Sequence, residues 1–100
     1  MAETNFSVYV VRCADSTYYT GIAADVERRL AEHESGSRGA KYLKGRRPLV
    51  LVYAEEIGDR SVALRIEYRI KQLSRPQKEA LIEGRLHLQD LLFDQSPVTG

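Results

Sequence analysis

The sequence is poor in cysteine, in long apolar runs and in excess charge of either sign. Cys13 is the single cysteine among 100 residues, so no internal disulfide is possible and a reducing, cytoplasmic compartment is expected. No apolar run approaches the ~20 residues that a membrane span needs, so no membrane association is expected. The 15 Lys and Arg against 14 Asp and Glu give a net charge of +1. Overall charge therefore neither favours nor excludes a nucleic-acid partner.

The chain also has no internal repeat, no low-complexity segment and little room for a second domain. One hundred residues with 43% hydrophobic content can bury one modest core. We expect a single domain over residues 1–100, with its core at about 6–84 and a C-terminal tail at 85–100. The leucines of this tail could add a helical turn or pack against the core.

Two short apolar runs separated by a turn-forming segment predict a β-hairpin near the start of the chain. The runs span residues 7–11 and 18–22, and the turn spans residues 14–17. Tyr9 lies in the middle of the first run, and Tyr19 begins a Tyr-Thr-Gly tripeptide in the second. Pairing of residues 9 and 19 would put both tyrosines on one face of the sheet, whereas a shift by one residue would separate them. The sequence leaves both registers open.

A basic amphipathic helix is predicted directly after the hairpin. Asp25 can cap it, and it runs to about His33. Val26 and Leu30 form its buried stripe, and Arg29 and His33 are neighbours one turn apart beside that stripe. These two basic side chains are therefore expected where the helix meets the sheet.

Beyond a loop, residues 49–54 predict a third strand. Because this run is apolar without alternation, we expect the strand to be covered on both faces and central in the sheet. Ser61 can cap a second helix at about 62–73, and a third, short helix ends at Glu83 before Gly84. The order β-β-α-β-α-α predicts an α+β fold, with a small three-stranded, mostly antiparallel sheet flanked by helices.

Several polar residues follow one another at spacings that chance rarely supplies. Arg29 comes ten residues after Tyr19, His33 follows one helical turn later, and Glu67 lies beside the core stripe of the second helix with Lys71 four residues on. Alone, each has an ordinary explanation: a strand tyrosine is most often a core residue, and a Glu-Lys pair at this spacing is most often a surface ion pair. The ordered set together indicates a functional site.

This set resembles the GIY-YIG nuclease domain, and in particular its small stand-alone bacterial members, the YhbQ-like group. The two name-giving tripeptides would be residues 7–9 and 19–21, and the resemblance covers residues 6 to 84. It implies a metal-dependent endonuclease that hydrolyses phosphodiester bonds in DNA. Branched or damaged DNA, cut with little sequence preference as in DNA repair, would be the substrate.

The resemblance also assigns roles to individual residues. Glu67 would be the single protein carboxylate that holds Mg²⁺, or Mn²⁺ in its place. Arg29 would neutralise the non-bridging phosphate oxygens with its planar fork of donors. Tyr9, Tyr19 or His33 would position or deprotonate the attacking water, and the sequence does not decide which of them is the general base.

The loop before the third strand carries five cations in ten residues with no acid between them. They are Arg38, Lys41, Lys44, Arg46 and Arg47. Such a segment can follow a phosphate backbone without reading its sequence. We therefore expect it to bind DNA, with RNA as an alternative, although a solvated loop is its ordinary explanation.

Two other functions stay open at the level of sequence. Many nucleases of this family carry an Asn beyond the metal-binding Glu, and this chain has no Asn after Asn5. A second, DNA-selecting domain would not fit in 100 residues, so a protein partner could supply the targeting. These two observations favour a nucleic-acid-binding module with weak or no catalysis, and a protein-interaction domain on the same fold is the third alternative.

Overall fold

The computed structural model of the protein describes residues 4–35 and 45–92. These residues form three strands and four helices, which are β1 (Phe6–Arg12), β2 (Tyr18–Ala23), α1 (Val26–Ser35), β3 (Val50–Gly58), α2 (Arg60–Lys71), α3 (Arg75–Glu83) and α4 (Leu88–Leu92). The predicted α+β class and element order are confirmed, with α4 added after α3. None of these four helices has the length and apolar character needed to cross a bilayer.

The strands form one antiparallel sheet in the order β2-β1-β3. The prediction that the third strand is central and covered on both faces is therefore wrong. Residues 8–11 of β1 are at most 1% exposed, whereas Val50 is 46% and Leu51 is 38% exposed. An apolar run alone does not distinguish a covered strand from an edge strand with open apolar positions. β3 also continues past the predicted end at Ala54, to Gly58.

The register of the hairpin places its two tyrosines on the same face of the sheet. Tyr9 pairs with Gly21, and Val11 pairs with Tyr19. Tyr19 is thus displaced by two residues from the position opposite Tyr9. Because side chains alternate with a period of two, an even displacement keeps both rings on one face.

Helices cover both faces of the sheet, and each face has its own core. On the face covered by α2, α3 and α4, the buried residues are Val8, Val10, Ile66, Ile70, Leu81, Leu88 and Leu91. On the face covered by α1, they are Tyr9, Val11, Cys13, Ala23 and Leu49, with Val26 and Leu30 of α1 packed against them. The alternation of β1 therefore separates an aliphatic face from the face that carries Tyr9.

Aspartates cap the two helices that carry the candidate site residues. Asp25 accepts a hydrogen bond from the Arg28 backbone N–H at 3.1 Å, as predicted for α1. The prediction that Ser61 caps α2 is wrong, because Asp59 accepts from the Val62 backbone N–H at 3.0 Å. Asp59 has the extended backbone that an N-cap requires, whereas Ser61 already lies in the first helical turn.

Candidate active site

Tyr9 and His33 form the centre of a buried polar cluster between β1 and α1. The Tyr9 Oη and His33 Nε2 atoms lie 2.9 Å apart and share a hydrogen bond. The two residues are only 1% and 2% exposed. His33 lies where α1 meets the sheet, as predicted. The phenol of Tyr9 gives the buried Nε2 atom of His33 a hydrogen-bond partner there.

Gly21 provides the space that the Tyr9 ring occupies. A Cβ atom at Gly21 would lie 2.6 Å from Tyr9 Oη and 2.7 Å from Tyr9 Cζ. A Cβ carbon does not come this close to a non-bonded atom, so any larger residue would force the ring to move. The glycine of the Tyr-Thr-Gly tripeptide is therefore required by the passage of Tyr9 across β2.

Tyr19 adds a third ring on the side of the cluster nearer to solvent. Its ring centroid lies 5.7 Å from that of His33, with an angle of 77° between the rings. The centroids of Tyr9 and Tyr19 are 6.5 Å apart. These distances and angles are typical of favourable aromatic contacts. Tyr19 is partly exposed, so it is the more accessible tyrosine of the pair to an external ligand.

Arg29 lies one turn before His33 and brings a positive charge to the cluster. It interacts with the Tyr9 phenol, and its Nη1 donates to Glu32 Oε1 at 2.9 Å. The second oxygen of Glu32 is 3.6 Å from Arg28 Nε. Glu32 therefore bridges two arginines, and the Arg29 side chain keeps 33% of its surface exposed.

The protonation states of the cluster follow from burial and from these neighbours. The pKa of Tyr9 is raised to about 12, mainly by burial and next by Tyr19, while Arg29 opposes the rise. The pKa of His33 is lowered, mainly by burial and next by Arg29, while Glu32 opposes the drop. At neutral pH the phenol therefore keeps its proton and the imidazole is uncharged, so that Tyr9 donates and His33 accepts.

Glu67 lies on α2 and is within electrostatic reach of the cluster. Its side chain is 18% exposed, and its Oε2 is 3.4 Å from Lys71 Nζ, the contact that their spacing predicts. The Glu67 charge contributes to the raised pKa of Tyr9. Although α2 packs on the opposite face of the sheet, its contacts with β2 bring this carboxylate towards the β2 edge that Tyr9 crosses.

Glu67 suits a hard cation that keeps most of its own water. Within residues 4–35 and 45–92, no group of three or more His, Cys, Asp and Glu side chains is arranged to hold a metal ion. A closed zinc site, which takes four nitrogen or sulfur ligands, does not fit this donor set. Mg²⁺ does fit, because it prefers oxygen ligands and is commonly bound by one or two carboxylates with waters completing its shell.

Two cations of the predicted basic loop are bound by the protein itself. Arg46 forms an ion pair with Asp15 in the hairpin turn. Arg47 donates a hydrogen bond to the backbone carbonyl of Glu34 at the end of α1. Both contacts hold the end of the loop against the fold. The other three predicted cations, Arg38, Lys41 and Lys44, lie outside the described residues.

The fold and the cluster agree with a comparison against known protein families. The family described as the GIY-YIG catalytic domain matches residues 5–80, a span that contains all five predicted catalytic residues. The chain belongs to the GIY-YIG family. Family membership supports a nuclease-type function and a nucleic-acid substrate in general, and GIY-YIG nucleases generally use divalent metal ions.

Curated relatives match the chain over most of their own length. A UPF0213 protein from Halobacterium salinarum is 60% identical over 74 residues, which are 74% of this chain and 95% of that protein. The UPF0213 protein YhbQ from Salmonella typhimurium is 50% identical over 96 residues, or 95% of each chain. The predicted resemblance to the YhbQ-like group is thus confirmed.

Two solved structures are similar to the fold over nearly all of its length. The solution NMR structure of a UPF0213 protein from Bacillus halodurans has a TM-score of 0.53 and 38% identity, and covers 94% of this chain and 99% of that one. The solution NMR structure of a protein from E. faecalis has a TM-score of 0.57 and 34% identity, and covers 100% of both chains.

Two features of the candidate site do not follow from sequence reasoning. The i, i+4 spacing of Arg28 and Glu32 predicts a solvated ion pair between them. Glu32 also binds Arg29, and the i, i+3 spacing is the signal for that contact. A glycine at a strand end predicts a close approach of other atoms. Only the strand register identifies Tyr9 as the residue that approaches Gly21.

Proposed function

We propose that the protein is a Mg²⁺- or Mn²⁺-dependent endonuclease that hydrolyses phosphodiester bonds in DNA. The observation that supports this most strongly is the Tyr9–His33 hydrogen bond beside Arg29, within electrostatic reach of Glu67. Phosphodiester hydrolysis needs an acceptor for the proton of water, positive charge at the phosphate and stabilisation of the leaving oxygen. The cluster offers a proton acceptor and a cation side by side.

The proton of the attacking water passes to the Tyr9–His33 pair. His33 can accept it because its lowered pKa keeps the ring uncharged at neutral pH. The Tyr9 Oη atom accepts the proton of the water and donates its own hydroxyl proton to His33 Nε2, which lies 2.9 Å away. Tyr19, the more exposed tyrosine, holds the water in position.

Arg29 neutralises the non-bridging oxygens of the scissile phosphate. A guanidinium has five N–H donors in a planar fork, so Arg29 can contact a phosphate while one nitrogen stays bound to Glu32. Glu67 would hold the divalent cation. When bound, that cation stabilises negative charge on the phosphate and on the leaving oxygen.

A nucleic-acid-binding module without catalysis is the second candidate, and one observation favours it. Arg29 is already paired with Glu32 at 2.9 Å, and Tyr9 and His33 satisfy each other in a buried position. Such a cluster is stable without any chemistry. The two candidates therefore differ in whether DNA is cut, since both bind it.

A cleavage assay with matched variants separates the candidates. Supercoiled plasmid and branched oligonucleotides are incubated with Mg²⁺ or Mn²⁺ and with wild type, Glu67→Gln or Tyr19→Phe. Loss of a residue that acts on the reacting atoms should slow cleavage by about 100-fold or more. Glu83→Gln removes an exposed, ion-paired glutamate of α3, and Tyr53→Phe removes a hydroxyl on β3. These two controls should cut as wild type does.

Three outcomes distinguish the possibilities. If wild type and both controls cut while the two site variants do not, the nuclease is supported. If every preparation cuts at one rate, the activity comes from a contaminant. If none cuts but wild type binds DNA in a salt-dependent manner, the binding module replaces the nuclease.

A further inference from the structure

The solvent-facing side of α2 carries cations around an exposed aromatic ring. At 100° per residue, six positions of this helix fall within an arc of roughly 140°. These residues, which we name the α2 surface, are Arg60, Ser61, Leu64, Arg65, Tyr68 and Lys71. All six are exposed. Of its two large hydrophobic side chains, Tyr68 is 65% exposed and Leu64 is 39% exposed.

The α2 surface is positively charged. Three of its six residues are cations and none is an acid. Lys71 contacts Glu67 at 3.4 Å. Arg60 and Arg65 form no ion pair or side-chain hydrogen bond with another residue of the ranges 4–35 and 45–92. Their guanidinium groups are therefore available to a ligand as far as these ranges are concerned.

The available guanidinium groups distinguish the α2 surface from Arg46 and Arg47 at the end of the basic loop. Arg46 and Arg47 already bind an aspartate and a backbone carbonyl of the protein. Part of their donor capacity is used to hold the loop in place. Arg60 and Arg65 instead project from a regular helix, which fixes their spacing.

The α2 surface borders the carboxylate of the proposed metal site. Glu67 lies on the same helix at the edge of the arc, three residues after Leu64 and four before Lys71. Arg60 is seven residues before Glu67, or about 10.5 Å along the helix axis. A polymer that passes Glu67 is therefore within reach of the cations on α2.

Ordinary surface composition explains each of these side chains alone but not their combination. Single exposed apolar residues are common on proteins, and helices often carry solvated charges. Here a ring that is 65% exposed lies among three cations on the helix that carries Glu67. A second copy of the chain is a poor occupant, because a two-fold contact would bring the same cations together.

We propose that the α2 surface is a docking surface for the nucleic acid on which the Glu67 site acts, an inference that rests on the proposed function. Arg60 and Arg65 bind backbone phosphates, which fixes the position of the polymer without reading its sequence. The Tyr68 ring packs against a sugar or a base. The surface thereby directs the backbone towards Glu67.

A binding measurement that is independent of cleavage tests this surface. Every protein carries Glu67→Gln, so that DNA stays intact, and binding to a short fluorescein-labelled DNA duplex is followed by anisotropy. Each contact with a duplex phosphate contributes a slope of about −0.9 to the plot of log affinity against log salt concentration. For each contact, raising the salt from roughly 50 to 200 mM therefore weakens binding about 3.5-fold. The double variant Arg60→Gln/Arg65→Gln lacks two of these contacts. The factor by which its affinity falls between these two salt concentrations should therefore be about 12 times smaller than the factor for its parent.

Control variants separate the α2 surface from general charge and from misfolding. Arg85→Gln removes an exposed arginine beyond α3 and should keep the affinity and the salt slope of its parent. Tyr68→Leu should bind several-fold more weakly, whereas Tyr68→Phe, which keeps the ring, should bind as its parent does. Urea unfolding of each variant checks that the fold is intact.

Two results would overturn the proposal. One is an unchanged affinity and salt slope in the folded Arg60→Gln/Arg65→Gln protein. The other is a change of oligomeric state in light scattering that accompanies any loss of binding, because the α2 surface would then join copies of the chain. Failure of the proposed nuclease gives a different result: chains with Glu67 intact would not cut DNA, while binding through the α2 surface would persist.

Discussion

Replacement of Gly21 by alanine tests the packing that brings the tyrosine cluster together. The added Cβ would lie 2.6 Å from Tyr9 Oη and 2.7 Å from Tyr9 Cζ, and the Tyr9 ring is buried at 1% exposure. Overpacking of this kind costs about 1–3 kcal/mol. Displacement of the ring also breaks the bond to His33, which adds about 1 kcal/mol. We therefore expect Gly21→Ala to lower the free energy of unfolding by about 2–4 kcal/mol and to abolish any DNA cleavage.

A double-mutant cycle in urea, followed by circular dichroism, measures this effect. In a Tyr9→Leu chain the side chain ends short of the Oη and Cζ positions, so the added methyl group no longer meets them. Gly21→Ala should then cost less than about 0.5 kcal/mol, as a substitution without a clash does. An equal cost in both backgrounds would refute the steric argument, because the glycine would then be required for a reason unrelated to Tyr9.

Three further predictions concern stability in urea. Because the pKa of His33 is lowered in the folded protein, the unfolded chain takes up its proton first as pH falls. The free energy of unfolding should therefore decrease below about pH 6.5, and His33→Gln should reduce this dependence. Ser74→Ala should cost about 1 kcal/mol through loss of the capping box of α3, and Ser74→Asp should retain most of the stability. Glu34→Ala should cost about 1–3 kcal/mol because the Leu49 N–H loses its acceptor at 2.8 Å, whereas Glu34→Gln keeps one.

The parts of the fold that depend on local pattern are predictable from the sequence. The hairpin follows from two apolar runs around a turn, and α1 follows from the cap at Asp25 and a periodic apolar stripe. Gly84 ends α3 as predicted, with a φ of 86° that glycine adopts readily. Each of these signals lies within a few residues of the structure it determines.

The position of β3 depends on contacts that no local pattern contains. Its apolar run is compatible with either a central or an edge strand, and the choice is made by β1, which pairs on both sides. Val50 and Leu51 are left partly open as a result. The prediction of Ser61 as the cap of α2 is wrong for a related reason, since Asp59 and Ser61 are both good N-cap residues and only the backbone path selects Asp59.

The candidate site follows the same division between local and long-range information. Arg29 and His33 are one turn apart on a single helix, so their proximity is readable from spacing alone. The bond from His33 to Tyr9 joins residues 24 positions apart, and it depends on how α1 packs against the sheet. The bridging role of Glu32 also required the side-chain geometry, although its spacing from Arg29 permits the contact.

The Tyr-x-Gly spacing of the second strand has a geometric reason in this fold. Residues two apart in a strand point to the same face, so Tyr19 and Gly21 both face α1. Tyr9 pairs with Gly21 across the hairpin, and the missing side chain lets its ring cross β2 and reach His33. Tyr19, two pairs further along, then lies beside the crossing ring instead of beneath it. A slip of one residue would turn Tyr19 to the aliphatic face and place Thr20 or Ile22 under Tyr9. The tripeptide therefore specifies a register in which one tyrosine is buried against a histidine and the other remains accessible to a ligand.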